Sequence, residues 1–282
     1  MAGKTERLMS KRTEMTFTYI LLGIFSFWAI YPLLSVLLLS LNQPNTLVIG
    51  TKLPNPFSLR SYSEAWIRGG FGPSLTNSMI VAVSVVTLSV FLSLMVAYPL
   101  GKMKFPGRTL VYAYVIVGII VPYQATIIPL YYQFKNLGLI NTYWAFILPQ
   151  TAGSVAFGTF WLRGFFLTFP DELIDAGRVD GAGPWTMLWK VLVPNAGPAI
   201  LAIAAILFVW TWNDLFIAIV MGQSHEMLMA PASLAFFAGT VKGEDLPIIA
   251  AAAILTAIPV VAIYVILQRQ YIEGIVAGSI NK

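Results

Sequence analysis

Cysteine is absent from the 282 residues, and histidine occurs only once. Without thiols the chain can form no disulfide, no thiolate metal site and no cysteine nucleophile. A metalloprotease of the HExxH type needs two histidines, and His225 stands alone, so we expect this residue to lie on a surface loop. These absences exclude the cysteine- and histidine-pair chemistries, and we predict neither a catalytic residue nor a metal site.

Charged residues are also scarce, at 10% of the chain against about 25% in a soluble domain. Six stretches of at least 23 residues carry no Asp, Glu, Lys or Arg: 15–51, 69–101, 109–134, 136–162, 191–213 and 246–268. A helix needs about 20 apolar residues to cross roughly 30 Å of hydrocarbon. We therefore predict an all-α polytopic membrane protein with six transmembrane helices, at about residues 16–40, 76–100, 109–132, 142–166, 199–221 and 246–269.

The net charge of +5 does not indicate nucleic acid, because basic residues at the ends of membrane helices are what orientation requires. With the N-terminus in the cytoplasm, 12 of the 17 lysine and arginine residues fall on cytoplasmic segments. This bias predicts that both termini are cytoplasmic. We assign a cytoplasmic N-terminus, one transmembrane domain, a cytoplasmic loop and a cytoplasmic tail, at residues 1–15, 16–270, 168–194 and 271–282 respectively.

Polar residues return in the loop at 168–194. Thr168 can cap a helix that has Pro170 and two carboxylates in its first turn. Glycines end that helix, and Pro184 can begin a second one that stops at Pro194. The stretch therefore predicts two short helices around a glycine turn. From these signals alone it is either a solvated loop or a surface on which another protein docks.

The third predicted helix should kink or break, because Pro122 and Pro129 remove backbone donors within it. Asp214 is the only charge in the fifth predicted helix, and intramembrane carboxylates are usually functional or paired. The alternative for Asp214 is a position close enough to the outer interface to be hydrated. Trp28 and Trp210 are more typical of core or interface anchors than of sugar-stacking platforms. The candidate pathway residues are Pro122, Gln124, Thr126, Asn213 and Asp214. A kink that merely packs against its neighbours is the alternative for the third helix.

The loop at 168–194 resembles the EAA loop of bacterial ABC importer permeases, in which E-A-A is followed by three residues, G, nine residues and I-x-L-P. Asp175, Ala176 and Gly177 stand at E-A-A, Gly181 at the glycine, and Val191, Val193 and Pro194 at I-x-L-P. Glycine for the second alanine weakens the helix by roughly 0.5–1 kcal/mol. Segments such as "VPYQATIIPLYYQFKNLGLINTYWAFILP" and "WNDLFIAI" resemble the carbohydrate-uptake branch, in particular the second permease subunit of maltose-type importers.

This resemblance implies a type I ABC importer permease fold in the bacterial inner membrane, with the loop forming a coupling helix between the fourth and fifth spans. It implies four kinds of partner: a second permease subunit, a homodimeric cytoplasmic ATPase, an extracytoplasmic solute-binding protein and membrane lipid. The implied ATPase-docking residues are Asp175, Ala176, Gly177, Arg178, Asp180, Gly181, Ala182, Pro184 and Pro194.

No GxxxxGK[ST] motif is present, so we expect ATP and Mg²⁺ to bind the partner ATPase and no cofactor to bind this chain. The tail at 269–282 is either a further ATPase contact or simply a charged end. Two alternatives stay open. One is a permease for a non-sugar solute such as a polyol or glycerol phosphate. The other is an ion-coupled secondary carrier, which usually has buried carboxylates in several helices.

Overall fold

Every regular element that the structure describes is a helix. The computed structural model describes residues 11–46, 52–240 and 245–279, with side chains from residue 14 to residue 268 within those ranges. The helices are α1 (Lys11–Ser40), α2 (Arg60–Arg68), α3 (Phe71–Lys102), α4 (Arg108–Ile120), α5 (Tyr123–Asn136), α6 (Tyr143–Thr168), α7 (Asp171–Val179), α8 (Pro184–Asn195), α9 (Gly197–Trp212), α10 (Leu215–Met221), α11 (Ala230–Thr240) and α12 (Leu246–Ser279). Most of the predicted N-terminal segment and the side chains of the predicted tail lie outside the described residues.

Several of these helices are long and apolar enough to cross a membrane. Glu14–Ser40, Phe71–Lys102 and Leu246–Gln268 meet that requirement alone. Two bent pairs meet it jointly: α4 with α5, at an angle of 88°, and α8 with α9, at an angle of 80°. Length and composition therefore give three to five spans in the described residues, and they confirm an all-helical chain built for a membrane.

The chain divides into two units, residues 1–68 with 240–255 and residues 69–239 with 256–282. In the first unit α2 is tied to the end of α1. The hydroxyl oxygens of Ser40 and Tyr62 lie 2.7 Å apart. Ser61 Oγ donates to the carbonyl oxygen of Asn42 at 2.7 Å. These bonds hold α2 against the chain that leaves α1.

In the second unit α6 packs closely against its neighbours through glycines. A Cβ added at Gly158 would overlap the hydroxyl oxygen of Ser93 on α3 and lie 3.0 Å from its Cβ. A Cβ added at Gly118 of α4 would lie 3.2 Å from the Cβ of Ala156. Small residues allow membrane helices to approach in this way where the hydrophobic effect cannot drive their association.

Apolar side chains join the loop helices to this framework. Ile174 of α7, together with Met187, Leu188 and Leu192 of α8, is buried against residues of α3, α6 and α9. The buried members from those three helices include Leu94, Leu162, Phe166, Ile203 and Leu207. The loop between α6 and α9 is therefore a packed part of the second unit rather than a loose connection.

Two predicted helices are broken. The third is interrupted at Val121 and Pro122, as expected from a residue that has no N–H, whereas Pro129 lies inside α5 and does not end it. The fifth was predicted as one helix over 199–221, but α9 ends at Trp212 and α10 starts at Leu215. The reason is a cap, because Asp214 Oδ1 accepts the backbone N–H of Ile217 at 3.1 Å and so starts a new helix.

Two predicted local signals differ from the structure. Thr168 is not a cap; it ends α6, its hydroxyl donates to the carbonyl of Phe165, and Pro170 precedes α7 instead. Pro194 lies within the last turn of α8, which ends one residue later at Asn195, and a wider π turn over Met187–Leu192 comes before it.

Helix ends also differ from the predicted ranges, as apolar runs mark only the part of a helix that crosses the lipid. The observed helices extend beyond the runs at Lys11–Ser40, Phe71–Lys102, Tyr143–Thr168 and Leu246–Ser279. The last of these continues as helix through most of the predicted tail.

Candidate functional site

The two helix breaks of the second unit meet. The break between α4 and α5 places Tyr123 at the start of α5, and the break between α9 and α10 places Asp214 just before α10. The hydroxyl of Tyr123 donates to Asp214 Oδ2, while Oδ1 of the same carboxylate accepts the N–H of Ile217. A residue 91 positions away in sequence is thus the hydrogen-bond partner of this carboxylate.

A cavity of about 300 Å³ opens beside this pair, between α4, α5, α6, α9 and α10. Its polar lining consists of Tyr123, Gln150, Ser154, Thr211 and Asp214, and glycines and apolar residues supply the remainder. Phe157 and Trp210 form an aromatic wall, with ring centroids 4.8 Å apart. A mostly apolar cavity with a few convergent polar groups is the usual form of a small-molecule site.

Of the candidate pathway residues, the cavity includes only Asp214. Pro122 precedes the lining residue Tyr123. Gln124 and Thr126 are exposed outside the lining, and the hydroxyl of Thr126 donates to the carbonyl of Tyr123 at 2.7 Å. Asn213 also lies outside it and donates to the carbonyl of Val209 at 2.8 Å.

The sequence did not identify Tyr123 or Gln150 as candidates, and Trp210 was interpreted as a core or interface anchor. The signal available for Tyr123 was its position directly after the proline that breaks the helix. Trp210 is 52% exposed and faces the cavity, which an anchor buried in the core would not do. Of the other residues considered, Trp28 is exposed on α1, and His225 is exposed in a short 3₁₀ turn.

A second candidate site is the surface made by α7, the turn after it and the start of α8, which we call the α7–α8 surface (residues 171–185). Gly181 adopts φ +83° in the turn. Its N–H donates to the carbonyl of Arg178 at 3.0 Å, and the N–H of Ala182 donates to the carbonyl of Gly177 at 2.9 Å. This pairing closes the end of α7 with a left-handed glycine, a common way for a helix to end.

The α7–α8 surface exposes most of the residues expected to dock. Asp175, Ala176, Arg178, Asp180, Gly181 and Pro184 are exposed, whereas Gly177 and Ala182 are half-buried. Pro194 is exposed farther along α8. The sequence analysis missed Val179, an apolar side chain that is 88% exposed at the end of α7.

One lysine joins this surface to α3. Lys102 Nζ lies 2.6 Å from the carbonyl oxygen of Phe169 and 2.6 Å from Asp171 Oδ1. The lysine side chain is 8% exposed and the aspartate side chain 81%. The hydrogen bond from Lys102, followed by its charge, holds the pKa of Asp171 below its ordinary value. Lys102 therefore anchors the chain that enters α7 to the end of α3.

We expect Lys102→Met to loosen α7, because it leaves the Phe169 carbonyl and the Asp171 carboxylate without their donor. Lys102→Arg should retain most of the anchoring. Hydrogen-exchange protection of the α7 amides measures the effect. Equal protection in the methionine variant and the wild type would contradict it.

The pH dependence of this anchor follows from the lowered pKa of Asp171. The pair is fully formed above the pKa of an unfolded aspartate, about 3.9, and it is lost only as pH falls through the lower folded value. Protection of α7 should therefore be constant between about pH 6 and pH 8.

Broken helices around a cavity, in an all-helical chain with several membrane-length segments, define a multi-pass membrane protein of the solute-transport class. The chain belongs to the family of binding-protein-dependent transport system inner membrane components, whose model matches residues 89–275. The resemblance to ABC importer permeases is thereby confirmed.

Two relatives align over most of the chain. It is 31% identical over 275 residues to the diacetylchitobiose uptake system permease protein NgcG of Streptomyces coelicolor, covering 97% of this chain and 89% of that protein. It is 29% identical over 287 residues to the arabinooligosaccharides transport system permease protein AraQ of Halalkalibacterium halodurans, covering 100% of both.

A solved structure has the same fold. It is the crystal structure of a bacterial ABC transporter involved in the import of the acidic polysaccharide alginate. The likeness has a TM-score of 0.79 at 24% identity and covers 93% of this chain and 98% of that chain.

Proposed function

We propose that this chain is the permease subunit of an ATP-driven importer for a sugar or oligosaccharide. It forms half of the translocation pathway with a second permease, receives solute from an extracytoplasmic binding protein, and is moved by a homodimeric cytoplasmic ATPase that binds ATP and Mg²⁺. The family assignment supports the dependence on a binding protein, and the names of the relatives support the class of solute.

Six spans fit this role. They are α1, α3, the pair α4–α5, α6, the pair α9–α10, and α12. With 26 residues, α6 is about 39 Å long at 1.5 Å per residue, which exceeds the roughly 30 Å of hydrocarbon. The distribution of basic residues supports cytoplasmic termini and a cytoplasmic α7–α8 surface.

The α4 helix supports a further partner. None of its 13 residues is buried in the second unit, and Leu110 and Tyr114 are among its most exposed side chains. Apolar side chains of a membrane helix must contact lipid or protein. We therefore assign the exposed sides of α1 and α4 to lipid and to the second permease.

The α7–α8 surface is the observation that carries the proposal. It keeps the spacing of the EAA loop, from Asp175 through Gly181 to Pro194. The 80° bend between α8 and α9 supports a helix that lies along the membrane surface while the next one crosses it. Ile174 fixes α7 to the core from below, so a force applied to the exposed side reaches α3 and α6. Such a surface suits a coupling helix seated in an ATPase.

Asp175→Lys tests this function. The variant should fail to assemble with the ATPase and lose most sugar uptake, since it reverses a charge at the centre of the docking surface. The measurement is co-purification with the ATPase, together with uptake into proteoliposomes that also contain the second permease and are supplied with the binding protein.

Arg178→Ala is the matched control. Asp175 and Arg178 form an ion pair at 2.9 Å with both side chains more than half exposed, which contributes little to stability. This variant removes that pair but keeps the aspartate charge, so it should assemble more fully than Asp175→Lys. Normal assembly and uptake in Asp175→Lys would reject a coupling role for this surface.

A further inference from the structure

The cavity beside Asp214 carries a charge of one sign only. Its lining comes from residues 118–123, 149–157 and 210–214, and these ranges contain no lysine, arginine or histidine. Asp214 is the only acidic residue among them. The lining therefore supplies one carboxylate and no compensating cation, which makes the cavity unfavourable for an anion.

The hydrogen-bonding groups of the Asp214–Tyr123 pair also disfavour an anion. Asp214 uses one lone pair of each oxygen, for the N–H of Ile217 and for the hydroxyl of Tyr123, and the others remain to accept. Because the Tyr123 hydroxyl donates to the carboxylate, its own oxygen presents lone pairs. The side-chain amide of Gln150 donates to the carbonyl of Phe146 at 3.2 Å and keeps its oxygen as an acceptor and one N–H as a donor. The Asp214–Tyr123 pair is therefore the part of the lining that offers acceptors alone, and these suit the O–H donors of a sugar.

The aromatic wall supplies the other half of a saccharide site. Trp210 is half-exposed, and its ring lies tilted by 46° against that of Phe157. Aromatic rings have a negative face, which attracts the slightly positive C–H groups on the apolar side of a sugar ring. A cavity that holds both an aromatic wall and groups that accept from sugar hydroxyls matches a ligand with a polar edge and an apolar face.

We propose that this cavity binds uncharged saccharides and rejects anionic ones, with the Asp214–Tyr123 pair as the selecting group. This deepens the proposed function and rests on it. A sugar carboxylate or phosphate would bring a second negative charge and further acceptors against groups that already accept. The shared fold does not carry over the acidic substrate named for the alginate transporter, because selection lies in the lining side chains.

The test uses the heteromeric complex of both permeases and the ATPase in nanodiscs, without binding protein, so that only the membrane site selects. The probes are radiolabelled maltose, trehalose and diacetylchitobiose, each paired with the same disaccharide in which one primary hydroxyl is oxidised to a carboxylate. Equilibrium dialysis should show at least one neutral sugar bound about tenfold or more tightly than its acidic counterpart.

Asp214→Asn removes the charge and keeps the cap, because asparagine is as good an N-cap as aspartate. It should shrink the difference between neutral and acidic probes by about tenfold. Tyr123→Phe should weaken neutral sugars while the acidic probes remain excluded. Gln133→Glu adds a charge on α5 about 15 Å from Tyr123 along the helix and should leave the ratio unchanged.

Equal binding of neutral and acidic probes, an unchanged ratio in Asp214→Asn, or no binding of any neutral probe would each overturn the inference. The proposed function is measured separately, as ATP-driven uptake by the complete system with its binding protein. Uptake without selection at the cavity rejects the inference alone. Absence of ATP-driven uptake of any sugar rejects the proposed function.

Discussion

Replacing Gly158 by valine is expected to abolish stable assembly of the membrane domain. Even the first added carbon would overlap the Ser93 hydroxyl and lie 3.0 Å from its Cβ, where α3 and α6 cross. The hydroxyl can rotate away, but the Cβ belongs to the helix and can move only with α3. Overpacking of this kind destabilises by roughly 1–3 kcal/mol for small additions, and valine adds two further methyl groups. Gly158→Ala should therefore show an intermediate loss.

Thermal unfolding in detergent and the yield of monodisperse protein measure this effect. Gly153→Val is the matched control, because it lies in the same helix and a Cβ there meets nothing within 4 Å. Ser93→Gly removes both obstructing atoms and should restore part of the stability of Gly158→Ala. If Gly153→Val and Gly158→Val had the same thermal midpoint, close packing of α3 and α6 would not be the cause.

Gly181→Ala is expected to reduce sugar uptake by about tenfold or more. The residue has φ +83°, and an L-amino acid other than glycine loses roughly 1–2 kcal/mol there. No atom lies within 4 Å of the added carbon, so the effect comes from the backbone rather than from a clash. Relief of the strain would shift α7 relative to α8 and displace Asp175 and Val179 from the geometry of the proposed docking surface.

Gly183→Ala separates backbone geometry from any other consequence of the methyl group. Its position is two residues away in the same turn, is equally open, and has φ −69° and ψ 169°, which alanine adopts readily. Uptake should remain near the wild-type level. Stimulation of ATP hydrolysis by the loaded binding protein gives a second readout, which should fall only in Gly181→Ala. Equal uptake by the two variants would contradict the role of the left-handed turn.

Membrane helices could be predicted because their signal is local and strong. A long charge-free run favours the membrane over water whatever its position in the sequence, so the main helices follow from composition alone. The break at Pro122 was predictable from a residue that lacks an N–H, although Pro129 has the same property and lies inside α5 without ending it. The break at Asn213 and Asp214 was missed because both residues are compatible with a helix and become a cap only where the chain turns.

Caps and stops were the least predictable features because they depend on competition between neighbouring groups. Thr168 has the chemistry of a cap, but its hydroxyl bonds within α6 and Pro170 takes the boundary. Pro194 has the chemistry of a stop, but it lies within the last turn of α8, after a π turn. In both cases the local sequence is compatible with two structures, and α7 and α8 adopt one of them while packed against the core.

The sequence by itself determined the class of the molecule, the family, and the position of the α7–α8 surface along the chain. These depend on residue type and on spacing along one segment. Only the tertiary structure decided that Tyr123 donates a hydrogen bond to Asp214, that Trp210 faces a cavity, and that Ser93 packs closely against Gly158. Each of these contacts joins residues that are far apart in sequence. Such contacts depend on how whole helices pack against one another, and no single segment determines that packing.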